Sequence, residues 1–243
     1  MPFTFSHPAI ILPLNYLPKN WISLTGLVIG SIVPDFEYFL RMKIQSDYSH
    51  TFLGVLWFDL PFGIILTFLF HNFVKKELFN NLPKELNARF KIAHELHWNA
   101  YFIKKWVVVI ASIFIGTLSH LFWDSFTHDS GFFVKKFGEL QSTILILGKP
   151  VKILKVLQHS STIIGGFLIA YAIYKLPKSA ISKTEINFKY WVFLTIFTIL
   201  IFVVRVICGD NATKIGNVIV SLISALMIGL VFTPILLKRN DGI

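Results

Sequence analysis

The chain has 243 residues, of which 54% are hydrophobic and only 15% are charged, and its formal net charge is +10. Such a composition excludes an ordinary soluble domain, which would have to bury several helices of about 20 residues in succession. The single cysteine, Cys208, excludes a disulfide framework and a thiolate metal site. The basic residues lie mainly between apolar stretches, so they indicate orientation in a lipid bilayer and contact with anionic lipid headgroups, not nucleic-acid binding.

The N-terminal segment is predicted to hold only short elements. Four prolines prevent a continuous helix over residues 1–20. Residues 21–33 are apolar but too short for a full span, and they end at Pro34 and Asp35. They predict a short buried or re-entrant helix, although a crossing is left open.

Five later segments are long and apolar enough to be transmembrane helices. They are residues 52–74, 106–126, 153–175, 188–208 and 215–237. Between the first two, residues 75–105 contain seven Lys and Arg and predict one or two amphipathic helices at the membrane surface. The predicted fold class is therefore all-α, a polytopic membrane protein with five or six transmembrane helices.

We expect one integral membrane domain over residues 1–243. Its first part, residues 1–175, contains the polar residues of a candidate metal site and the amphipathic insert 75–105. The second part, residues 176–243, consists of two plain transmembrane helices.

A stripe of polar residues ends the second predicted span. His120, Asp124 and His128 are four residues apart, so a helix presents all three on one face. Polar groups are costly in such an apolar stretch, and histidine with aspartate is a ligand set that suits a divalent metal. A buried His–Asp hydrogen bond that locks two helices is the structural alternative.

The remaining candidates converge on the same membrane face. If all five predicted spans cross, the stripe lies level with three further side chains, and with a fourth, that of His7, if residues 21–33 do not cross. These are His7, Asp35, His50 and His159. Seven nitrogen and oxygen donors suffice for two zinc, manganese or iron ions that share a bridging aspartate. The basic loop 75–105 favours its own side as cytoplasmic, which puts the candidate site at the outer face.

Four motifs resemble a bacterial membrane family known as domain of unknown function 4184. They are Pro-Phe-Thr-Phe-Ser-His-Pro at 2–8, Gly-Ser-x-x-Pro-Asp-Phe-Glu-Tyr at 30–38, Ser-His-x-x-x-Gly at 49–54 and Ser-His-x-x-Trp-Asp-Ser-Phe-Thr-His at 119–128. The resemblance covers the first two-thirds of the chain. It implies membership of a family without implying an activity.

The order of the candidate ligands is also similar, more distantly, to bacterial membrane-bound metal-dependent hydrolases and to the zinc-dependent phospholipase C and single-strand nuclease family. That resemblance implies two or three zinc ions. Asp35 would be a bridging or terminal ligand. His50, His120 and Asp124 would hold one pair of ions, and His128 and His159 another ion. The family has a glutamate where this chain has Ile163.

These observations favour a metal-dependent hydrolase in the bacterial cytoplasmic membrane, with its site facing outward. The expected reaction is hydrolysis of a phosphoester of a lipid or lipid-linked substrate by metal-activated water, with Asp124 or Asp35 orienting the water or accepting its proton. The alternative is a non-enzymatic membrane protein, a transporter of metal or protons or an assembly factor, that uses the same cluster. The sequence points to no protein partner.

Overall fold

The structure is a computed structural model that describes residues 3–179, 186–209 and 213–240. Within these residues, five helices are long and apolar enough to cross a membrane. We call them spans 1 to 5: Phe52–Asn80, Trp98–Asp124, Ile153–Lys175, Phe188–Cys208 and Ile215–Leu237. The chain is an all-α, polytopic integral membrane protein, and the predicted fold class is confirmed.

Shorter elements connect and precede the spans. The α-helices are Pro8–Ile11, Leu24–Ile32, Phe36–Arg41, Lys84–Glu95 and Phe132–Lys136. The 3₁₀ turns are Thr4–Ser6, Leu12–Tyr16, Val33–Asp35 and Gly138–Gln141. Span 1 contains the π-helical turns Val55–Asp59 and Phe70–Val74, and the helix of span 5 continues to Asn240. The antiparallel strands Thr143–Ile146 and Lys149–Lys152 form a hairpin between spans 2 and 3.

Spans 1 and 2 extend into the predicted amphipathic insert, and only Lys84–Glu95 stands apart as a surface helix. Lys75, which the sequence assigns to the insert, is buried and donates a hydrogen bond from Nζ to the Leu96 carbonyl at 2.6 Å. Trp98 is also buried, and its ring stacks on His71 with the ring centroids 4.3 Å apart. A satisfied ammonium group and a stacked aromatic ring allow a helix to extend beyond its purely apolar stretch.

The chain divides into two compact units. The first consists of Met1–Pro34, Ser49–Ile64 and Lys105–Lys175. The second consists of Asp35–Tyr48, Ile65–Lys104 and Leu176–Ile243.

In the first unit, the helix Leu24–Ile32 lies in direct backbone contact with span 2. A Cβ atom built at Gly30 would lie 2.2 Å from the Ile113 carbonyl oxygen, and one at Gly116 would lie 2.4 Å from the Leu27 carbonyl oxygen. Thr117 adds a hydrogen bond from Oγ1 to the Gly30 carbonyl at 3.3 Å. Glycine is required where two helix backbones approach this closely, as at other tight helix crossings in membranes.

The N-terminal segment of the first unit is attached to span 3. The Phe3 N–H donates to Thr162 Oγ1, and Ser6 Oγ donates to the Thr162 carbonyl, each at 3.0 Å. A Cβ atom at Gly165 would lie 2.9 Å from the Ser6 carbonyl oxygen. These contacts fix the position of the residue that follows, His7.

In the second unit, the buried carboxylate of Glu37 closes the loop that follows the helix Phe36–Arg41. It accepts hydrogen bonds from the backbone N–H groups of Asp47 and Tyr48, each at 2.9 Å, and from Arg41 Nε at 2.9 Å. A buried charge is tolerated here because several donors and an arginine compensate it.

Spans 4 and 5 bind the same loop. Arg205 Nη2 and Ser221 Oγ both donate to the Met42 carbonyl, at 3.1 and 3.0 Å. The Ile44 N–H donates to Asn217 Oδ1 at 2.9 Å.

We predict that Gly116→Ala destabilises the protein and that Gly166→Ala does not. The added methyl group at residue 116 meets backbone atoms, whereas nothing lies within 4 Å of a Cβ atom at residue 166. Overpacking of this kind costs about 1–3 kcal/mol. Thermal unfolding of the two variants in detergent micelles measures the difference, and equal midpoints for both would contradict the crossing described above.

Candidate metal centre

The histidine at the centre of the predicted stripe is oriented by the neighbouring short helix. His120 is fully buried, and its Nδ1 lies 2.7 Å from the Ser31 carbonyl oxygen. A carbonyl only accepts hydrogen bonds, so Nδ1 carries the hydrogen atom and a neutral ring has its lone pair on Nε2. Metal-binding histidines in proteins are fixed by this type of outer hydrogen bond.

The lone-pair nitrogen of His120 faces a carboxylate. His120 Nε2 lies 3.2 Å from Asp124 Oδ2. Two atoms that both carry lone pairs repel each other at this separation in a buried site unless a proton or a metal ion lies between them. A proton or a metal ion between the two atoms removes this repulsion.

Asp124 is the common neighbour of four histidines. It is 4% exposed, and among the described residues no backbone N–H group and no hydroxyl group donates a hydrogen bond to either carboxylate oxygen. The imidazole nitrogens lie 3.2 to 3.6 Å from its oxygens. They belong to His7, His50, His120 and His128.

The separations for His7 and His50, both 3.6 Å, are longer than ordinary hydrogen bonds and close to the distance between two ligands of one ion. N–H···O hydrogen bonds are usually about 2.7–3.2 Å long. Ligand atoms at about 2.0–2.1 Å from a tetrahedral zinc ion lie about 3.3–3.4 Å from one another. A group of nitrogen and oxygen donors at Asp124 could therefore hold a divalent metal ion.

His7 and His50 enter the cluster from outside span 2. His7 is 1% exposed, and its ring stacks on His120 with centroids 3.8 Å apart and an interplanar angle of 17°. Its Nε2 lies 3.6 Å from Asp124 Oδ1. Nδ1 of His50 lies 3.0 Å from the buried Ser49 hydroxyl, and its Nε2 faces Asp124 Oδ2 at 3.6 Å.

His128 lies just beyond the end of span 2. Its Nδ1 is 3.2 Å from the Asp124 carbonyl oxygen, to which it donates, and 3.5 Å from Asp124 Oδ2. Burial lowers the pKa of His128 below its ordinary value. A lowered pKa favours the neutral ring, which is the form that binds a metal.

Asp35 is fully buried in the turn Val33–Asp35, which continues the helix that carries Ser31. One ligand atom each from Asp35, His50, His120 and Asp124 lies within 4.8 Å of the others, so this group could hold a metal ion. The structure thus places four of the predicted residues in a group that could hold a metal ion, and the remaining ligand roles stay predictions.

His159 lies apart from this arrangement. It is an exposed residue of span 3, and in the described part of the chain no ring contact or ion pair joins it to Asp124 or to the other histidines of the cluster. Span 3 contributes to the site through Thr162, which holds the N-terminal segment. A ligand role for His159 stays a prediction.

The groups that orient the candidate ligands were not predicted from the sequence. The Ser31 carbonyl is a backbone group, so residue type does not reveal it. The crossing that brings it to His120 does have a signal, because Gly26 and Gly30 are four residues apart in an apolar helix. Ser49, next to His50, is buried and orients that ring.

Comparison with known proteins assigns the chain to a family. A family model described as "Domain of unknown function (DUF4184)" matches residues 1–235. The chain belongs to this family. No curated protein and no solved structure matches it. The family description names no activity, so inferences about function depend on the geometry of the site.

We predict that purified protein binds divalent metal and that Asp124→Asn abolishes this binding. The substitution removes the negative charge at the centre of the imidazoles and retains the side-chain volume. Asp129→Asn is the matched control, because Asp129 is exposed and pairs with Lys152 at 2.7 Å. Elemental analysis after dialysis measures the ions per chain, and equal metal content in the two variants would contradict the assignment.

Proposed function

We propose that this protein is a membrane-embedded, metal-dependent hydrolase that cleaves a phosphoester of a lipid or lipid-linked substrate. The observation that carries the proposal is the buried Asp124 carboxylate, with four imidazole nitrogens 3.2 to 3.6 Å from its oxygens. Such a set of donors is typical of zinc sites in hydrolases. We place the site at the outer face of the bacterial cytoplasmic membrane, as the distribution of basic residues favours.

His120, His50, Asp124 and Asp35 are the residues that would hold a first divalent ion. His7 and His128 lie beside the same carboxylate and would extend the site to a second ion, His128 through Nε2 because its Nδ1 carries the hydrogen atom. A bound ion of this kind polarises a phosphoryl oxygen and lowers the pKa of a coordinated water molecule towards neutrality.

The protein's own groups supply orientation and proton transfer. The Ser31 carbonyl fixes the tautomer of His120, and the Ser49 hydroxyl contacts His50 Nδ1. Asp35 and Asp124 are the two carboxylates near the reacting centre. We assign to one of them the orientation of the attacking water and the acceptance of its proton.

The position of the cluster along the spans supports a substrate at headgroup level. Asp124 is the last residue of span 2, and His50 comes two residues before span 1 begins. Ends of transmembrane helices lie at the membrane surface, where the phosphate groups of lipids are.

An apolar groove beside the cluster supports a substrate with a hydrocarbon chain. The groove has a volume of about 270 Å³ and is lined by Ile10, Phe122, Trp123, Phe126, Thr127, Leu157 and Ser161. The Trp123 ring faces His7 edge-on with the centroids 6.2 Å apart. Thr127 is buried, and its hydroxyl has no hydrogen-bond partner among the described residues. Such a hydroxyl can donate to a phosphate or ester oxygen of a lipid whose chain lies in the groove.

Reconstitution with defined lipids tests the proposal. The purified protein in nanodiscs, supplied with zinc, should release a phosphorylated headgroup or phosphate that ³¹P NMR detects. Chelation of the metal should stop the release. Asp124→Asn should reduce it at least about 100-fold, since loss of an outer-shell partner alone costs about 10–100-fold, whereas Asp129→Asn should retain it.

The outcomes separate the candidate functions. Metal binding without turnover of any phospholipid or lipid-linked phosphate would contradict the hydrolase. If no turnover is found but metal ions or protons cross the membrane of proteoliposomes that contain the protein, the result would support the transporter. Turnover that survives Asp124→Asn would show that the proposed centre does not catalyse the reaction.

A further inference from the structure

The hairpin before span 3 has an unusual turn. Its strands pair in the register Ile146 with Lys149, which leaves Leu147 and Gly148 as a two-residue connection. Both have a positive φ, 50° at Leu147 and 76° at Gly148. Two-residue hairpin turns of this kind favour asparagine, aspartate or glycine at the first position because the left-handed region disfavours other side chains. A leucine at this position is not explained by the conformation of the turn.

The hairpin also exposes an unbroken run of large apolar side chains. Leu147 is 98% exposed and Leu145 is 77% exposed. Ile144 and Ile146 are exposed as well. Contiguous apolar residues that face outward in this way mark a surface that contacts another apolar phase.

The place of the hairpin in the chain identifies that phase. Its second strand ends at Lys152, and span 3 begins at the next residue, Ile153. The base of the hairpin therefore lies at the end of span 3, where that helix meets the surface of the bilayer. Lys149 and Lys152 on the second strand are placed to contact anionic headgroups next to an apolar tip.

We propose that the hairpin Thr143–Lys152 inserts its tip into the lipid of the bilayer that span 3 crosses. Leu145 and Leu147 contact the acyl chains, and Lys149, which pairs with Ile146 next to the tip, extends its ammonium group back to the phosphates. The apolar tip and the attachment of the hairpin to span 3 favour lipid, and not a second copy of the chain, as the partner of this apolar surface.

The hairpin is connected to the candidate metal centre. Lys152 Nζ forms an ion pair with Asp129 Oδ1 at 2.7 Å, and Asp129 directly follows His128. The Ile153 N–H donates to the Ser142 carbonyl at 2.9 Å, which closes the base of the hairpin. The insertion itself does not depend on the proposed hydrolase activity.

Site-directed spin labelling tests the insertion directly. Because Cys208 is the only cysteine, Cys208→Ser gives a background in which single cysteines can be labelled. Labels are placed at Leu147, at the exposed Glu139 as an aqueous control and at Ile164, an exposed residue inside span 3, as a lipid control. Collisions with oxygen and with a water-soluble nickel chelate are measured by EPR in phosphatidylcholine–phosphatidylglycerol vesicles.

We expect the label at residue 147 to resemble the one at Ile164, accessible to oxygen and shielded from nickel. Nickel accessibility equal to that at Glu139 would overturn the proposal. Immobilisation with shielding from both reagents would also overturn it, since a protein surface would then cover the tip.

A second variant controls for the possibility that a label at residue 147 changes the turn itself. Leu147→Asn suits the positive φ and removes the apolar side chain. A label at residue 145 should lie deeper in the chain that retains Leu147 than in the chain that carries Leu147→Asn. An unchanged depth would contradict insertion driven by Leu147.

Discussion

The structure of the first unit depends on the compensation of one buried carboxylate. Asp124 is almost completely removed from solvent at the end of an apolar span, where an uncompensated charge costs several kcal/mol. Four imidazoles surround it, but their separations from its oxygens leave space for a cation. A metal ion would supply the missing positive charge through the same nitrogen atoms. On the function proposed here, the polar cluster is tolerated at the span end because it serves as a ligand set.

The tight crossing between the helix Leu24–Ile32 and span 2 serves this cluster. Close approach at Gly30 and Gly116 brings the Ser31 carbonyl within hydrogen-bonding distance of His120. This hydrogen bond selects the tautomer that has its lone pair on Nε2, the nitrogen that faces Asp124. Thr162 and Gly165 have a comparable role for the N-terminal segment, since they hold the residues before His7. Backbone packing between helices therefore determines side-chain chemistry at the site.

Much of this arrangement could be predicted from the sequence, and the reasons for the rest are physical. The spacing of His120, Asp124 and His128 predicted one helical face, and all three meet in the structure. Span boundaries were less predictable, because Lys75 is buried through a bond to a carbonyl that hydropathy does not register. The hairpin was missed because its strands are only four residues long and one turn position is a leucine. Tertiary contacts determine both the ends of the spans and the formation of the hairpin.

X-ray absorption spectroscopy at the absorption edge of the bound metal tests directly whether Asp124 and its neighbouring imidazoles hold the ion. We expect a first shell of nitrogen and oxygen only, at about 2.0–2.1 Å for zinc, with the outer-shell scattering of at least two imidazole rings. Asp124, His120 and His50 are the donors that would give this spectrum. A first shell without imidazole scattering, or protein that binds no metal at all, would contradict this expectation.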